Sequence, residues 1–66
     1  MKKISINNGN SFVDVEMAIA SIDWDIIVNM MDDDVRDCVH NEIAPCSNAD
    51  FLRRYLELAD TDLIIG

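Results

Sequence analysis

The 66-residue sequence predicts a small α+β domain, mostly helical, with three to four short helices and with strands near its two ends paired in one short sheet. Three observations carry this. Apolar residues recur at helical spacing through the middle of the chain, short apolar runs stand near each end, and polar capping or turn residues punctuate the segments.

Lys3 to Ile6 alternates polar and apolar and reads as a strand. Asn7-Asn8-Gly9-Asn10 follows as a turn, because Asn and Gly tolerate positive φ. Ser11, three residues before Asp14, has the spacing of a helix-capping box. Val15, Ala18, Ile19 and Ile22 then form the stripe of an amphipathic helix. Ser21 is placed to cap a second helix, whose stripe is Trp24, Ile27, Val28 and Met31. Asp34 is the expected N-cap of a third helix carrying Val35, Cys38, Val39 and Ile43, with Cys38 a core position on that stripe. This helix stops before Pro45, which disfavours helical geometry at Ala44.

Ser47 and Asp50 give the clearest helix start, with Cys46 and Phe51 placed as an apolar staple across it. Phe51, Leu52, Tyr55, Leu56 and Ala59 line one side of this fourth helix. Asp60-Thr61-Asp62 reads as a turn and Leu63-Ile64-Ile65 as a terminal strand. Two lone strands would leave costly backbone groups unpaired, so they are expected to pair with each other under the helices. An all-helical domain with disordered ends is the alternative. Residues 1–66 read as one compact domain, since a chain of this length supports one core and hides only about 60% of its unfolded surface.

Thirteen acids against five bases give a formal charge of -8, at the extreme for a small soluble domain. That charge repels nucleic acid and anionic membranes and favours a basic partner. The two lysines after Met1 are not followed by the apolar segment of a signal peptide, and no apolar run approaches the roughly 18 residues of a membrane span. The expected location is the cytoplasm, with Cys38 and Cys46 as reduced thiols.

No catalytic or metal motif competes well. Asp32-Asp33-Asp34 could meet a hard cation, but consecutive helical carboxylates diverge, and the calcium-loop pattern is absent. Cys38, His40 and Cys46 match no common zinc spacing and lack a fourth ligand. A thiolate nucleophile needs an electropositive site, and this neighbourhood is acidic. No cofactor or metal is expected.

The distinctive feature is the run of carboxylates from Asp14 to Glu42, interrupted among bases by Arg36 alone. With the apolar stripes turned inward, these acids face out. Neighbours at i+3 and i+4 hold their Cβ atoms about 5–6 Å apart, a spacing comparable to that of nucleic-acid phosphates. Such a set suits a Lys/Arg-rich groove made for nucleic acid. Asp23, Asp25, Asp32, Asp33, Asp34 and Asp37 are the candidate partner-binding residues. Arg53 and Arg54 sit on the last helix, away from this run, with Glu57 in reach of either.

Three stretches resemble small proteins carried by bacterial mobile elements: Ile4-Ser5-Ile6-Asn7-Asn8-Gly9-Asn10-Ser11-Phe12-Val13, Asp32 through Cys46, and Phe51-Leu52-Arg53-Arg54-Tyr55-Leu56-Glu57-Leu58-Ala59. In size and character the chain resembles phage anti-CRISPR proteins, inhibitors of type I-C systems among them. The resemblance implies a stoichiometric, non-enzymatic inhibitor of a CRISPR effector complex; some such proteins are acidic and block the site of target DNA, and others act by dimerising or by blocking nuclease recruitment. By its charge this chain fits the first mode, as a binder of the basic, nucleic-acid-binding surface of the complex. It would act as a monomer in the bacterial cytoplasm, contacting neither nucleic acid nor membrane itself. An antitoxin-like or regulatory module of a mobile element is the second reading, and a metal-assisted enzyme the third.

Overall fold

The computed structural model describes residues 2–44 and 46–66. The element order is β1 (Ile4–Ile6), β2 (Ser11–Val13), α1 (Val15–Ser21), α2 (Trp24–Asn29), α3 (Asp33–Ile43), α4 (Asn48–Leu58) and β3 (Leu63–Ile65). The architecture is the α+β one predicted from the sequence.

β1 is the middle strand of the order β2-β1-β3. It pairs parallel with β3, Ile4 opposite Leu63 and Ile6 opposite Ile65, so strands from the two ends of the chain do meet. Its other neighbour departs from the sequence expectation. Ser11–Val13 is a strand antiparallel to β1, with Ser5 opposite Phe12, and not the start of a helix. Asn7, Asn8 and Gly9 take φ of 54°, 57° and 88° to close this hairpin, a left-handed run that Asn and Gly accept at low cost. The Gly9 N–H donates to the Ile6 carbonyl across it at 3.2 Å.

The period of two sorts the sheet into faces. Ile4, Leu63 and Ile65 are buried towards the helices. On the opposite face Ser5 is buried between Phe12 and Ile64, which are both largely exposed. The Lys3 ammonium lies 5.2 Å from the centre of the Phe12 ring.

The helix starts follow capping chemistry, with changes of register from the sequence expectation. Asp14, not Ser11, caps α1, its Oδ1 accepting from the Met17 N–H at 2.7 Å. Ser21 is the last residue of α1 and does not cap α2; the N-cap of α2 is Asp23, whose side chain makes no capping bond. Asp32, not Asp34, caps α3, accepting from the Val35 N–H at 3.1 Å. Ser47 caps α4 as predicted, accepting from the Asp50 N–H at 3.1 Å. Met1 and Pro45, the latter invoked as a helix stop, lie outside the described residues; Ala44 is extended, with ψ 145°.

α4 packs against both α1 and α3. Leu52, Tyr55 and Leu56 from α4 enter one core cluster with Ala18, Ile27, Val39, Ile4 and Leu63. Cys38, expected in this core, is exposed, as is Cys46. The residues of α3 that turn inward are Val35, Val39 and Ile43, spaced by four. That stripe centres on Val39, and Cys38 lies about 100° around the helix from it. At the N-terminus, Lys2 N–H donates to the Leu56 carbonyl at 3.1 Å and Lys3 N–H to Asp62 Oδ1 at 3.0 Å, tying the entry to β1 to the end of α4 and the start of β3.

Candidate functional site

The six carboxylates singled out from the sequence stand on one continuous stretch of structure: Asp23 and Asp25 at the start of α2, Asp32 as the cap of α3, and Asp33, Asp34 and Asp37 on α3 itself. All six are exposed. They do not have equal freedom. Asp32 spends its carboxylate on the helix cap. Asp33 pairs with Arg36 at 3.3 Å across one helical turn. Asp23, Asp25, Asp34 and Asp37 have no ion pair and accept no hydrogen bond among the described residues. Asp33 and Asp37, four residues apart, share one face of α3, and Asp34 stands a step around the helix from them.

The arginines explain why so much negative charge stays unbalanced there. Arg53 reaches back from α4 to Glu16 on α1 and also pairs with Asp50 at 3.4 Å. Arg54 spans to Glu42 on α3 at 2.8 Å and reaches Glu57 at 3.7 Å. The sequence places these two arginines far from the acidic run, but the fold returns them against both of its outer helices. Each is held between two carboxylates, so the positive charge is absorbed at the α1–α4 and α3–α4 seams. The two lysines, just before β1, line a surface depression with Glu16 and Arg53 of the α1–α4 seam.

The cleft beside the acids has no direct signal in the sequence. α2, α3 and the start of α4 enclose a solvent-open space of about 500 Å³ whose walls include Trp24, Val28, Asp37, His40 and Phe51. Trp24 and Phe51 meet edge to face, with ring centres 5.9 Å apart and planes at 87°, the arrangement aromatic quadrupoles favour. Cys46 and Phe51, predicted to staple the helix start, both line this cleft, with Cys46 exposed. The available hint was Trp24 itself, a large ring on a short helix with an acid on either side in sequence.

Among the described residues no three His, Cys, Asp or Glu side chains gather so as to hold a metal ion; Cys38, His40 and Cys46 do not converge, nor do the consecutive aspartates. Among the described residues no helix is long and apolar enough to cross a membrane. Comparison with curated proteins and with solved structures gives no significant match. A family model does match: the anti-CRISPR protein AcrIC5 model aligns with residues 20–58, from the end of α1 to the end of α4. This stretch is more than half of the chain and contains all six candidate acids and both rings of the cleft. The chain therefore belongs to the AcrIC5 family of anti-CRISPR proteins.

Proposed function

We propose that this anti-CRISPR protein inhibits by binding, without catalysis, a basic nucleic-acid-binding surface of a type I-C CRISPR effector complex, so that the acidic helices occupy the place of target DNA. The observation that carries the reading is the uneven use of charge. All three arginines are held by carboxylates, yet Asp23, Asp25, Asp34 and Asp37 are exposed and uncommitted among the described residues. Those four are the centre of the interface, with Asp33 beside them and Asp32 supporting α3 from its cap. Fixed carboxylates on helices lose little freedom on binding and meet guanidinium groups with strong, charge-assisted bonds. Steering by opposite fields speeds the encounter. The inhibitor works as a monomer in the cytoplasm of the bacterial cell.

The test is a variant with Asp23→Asn, Asp25→Asn, Asp34→Asn and Asp37→Asn together. None of the four makes a side-chain hydrogen bond among the described residues, so circular dichroism should show an unchanged fold. In a target-DNA competition assay with the effector complex, the variant is expected to lose inhibition. A folded variant that inhibits as well as the parent would sink the proposal.

A further inference from the structure

The cleft beside the acids has a composition that a solvated acidic face does not require. Trp24 and Phe51 form a ring-lined wall, and Asp37 brings to it a carboxylate with no ion pair among the described residues. The one arginine on the wall, Arg36, has its guanidinium drawn to Asp33 at 3.3 Å. Asp23 and Asp25 flank Trp24 in sequence and are exposed. An anionic occupant would meet the unpaired Asp37 carboxylate, with Arg36 already drawn to Asp33. An aliphatic occupant would cover the rings but strip water from Asp37 without replacing it, which is costly for a carboxylate. A lysine ammonium is compact and strongly hydrated, and gains less from a ring wall than a guanidinium does. A guanidinium is flat and weakly hydrated, stacks on aromatic faces, and pairs with carboxylate through two parallel bonds.

We infer that the cleft is the anchoring pocket of the interface and that its occupant is an arginine side chain of the partner protein, stacked against the Trp24–Phe51 wall and paired with Asp37. The inference rests on the reading of α2 and α3 as the partner-binding surface and adds a place where recognition depends on shape and chemistry as well as on summed charge. A lone arginine cannot replace target DNA; it fixes the register in which the surrounding carboxylates meet the basic groove.

Trp24 is the only tryptophan in the chain, so its fluorescence reports directly on the cleft. The parent protein is titrated with N-acetyl-arginine amide and, at matched ionic strength, with N-acetyl-lysine amide. Arginine is expected to change Trp24 emission saturably, lysine to bind several-fold more weakly, and Asp37→Asn to weaken the arginine response. A flat arginine titration, an equal response to lysine, or an Asp37→Asn variant that binds arginine like the parent would overturn the pocket.

The second measurement is affinity for the purified effector complex. Asp37→Asn should weaken it at least about tenfold, the scale for removing one member of a close interfacial charge pair, whereas Asp60→Asn, an exposed acid outside the cleft, should change it less than about twofold. Equal effects of the two overturn the anchor. The failures separate. If Asp23→Asn, Asp25→Asn and Asp34→Asn together abolish binding but the arginine titration is flat, the acidic surface stands and the pocket falls. If the fourfold variant binds like the parent, the interface reading itself falls.

Discussion

The phenol oxygen of Tyr55, buried on α4, accepts a hydrogen bond of 2.8 Å from the backbone N–H of Asp32, the residue whose own carboxylate caps α3. A core side chain thus fixes where the most acidic helix starts. Replacing Tyr55 with Phe keeps the ring and leaves that N–H without its partner. The expected loss is about 1 kcal/mol, the usual net value of such a bond, read as a lower urea midpoint with an unchanged slope. Binding to the effector complex should be nearly preserved, because the acids themselves are untouched.

The helix caps should divide into two kinds. Ser47→Ala removes a bond to the Asp50 N–H and Asp14→Ala one to the Met17 N–H; each should cost about 1 kcal/mol. Asp23→Ala removes a residue that makes no capping bond and should cost well under half of that. Thermal unfolding of the three variants checks the contrast. A loss for Asp23→Ala as large as for Ser47→Ala would show that its side chain does cap α2.

Salt should stabilise the free protein. The ion pairs of Arg36, Arg53 and Arg54 are exposed to solvent, and such pairs are worth little, whereas a net charge of -8 on 66 residues disfavours the compact state. Raising sodium chloride from low to a few hundred millimolar is therefore expected to raise the melting temperature. A fall would mean that the arginine clamps outweigh the self-repulsion.

Association with the effector complex should show the opposite dependence on salt. The on-rate is expected to drop steeply with ionic strength, while the off-rate changes less. Stopped-flow or surface-binding kinetics at several salt concentrations would check this. A flat on-rate would remove electrostatic steering from the mechanism.

Much of this fold was legible in the sequence, and the failures have local causes. Ser47 and Asp50 declared the start of α4 because no rival cap stands nearby. At α3, three consecutive aspartates can each cap, and the choice of Asp32 is made by Tyr55, a residue 23 positions away that no local pattern includes. β2 was hidden because Ser11 and Asp14 have capping-box spacing; pairing with β1 overrides that preference, and only the Asp14 half of the motif is used. Cys38 fits an apolar stripe in one dimension, but Val35, Val39 and Ile43 decide which side of α3 faces α4. The acids of the candidate site were readable because charge cannot easily be buried. Which of them are free was not, since that depends on Arg53 and Arg54 crossing to α1 and α3.

The parallel pairing of β1 with β3 has a consequence for the order of folding. Ile4 and Leu63 are neighbours in the sheet and nearly a whole chain apart in sequence, so this contact closes the longest loop available and pays the largest closure entropy. α3 and α4 are consecutive, and their contact closes a short one. The helices that carry the acids and the cleft are therefore expected to assemble early, with the parallel half of the sheet locking last. On this order the last long-range contact to form sits away from the helices that carry the candidate acids.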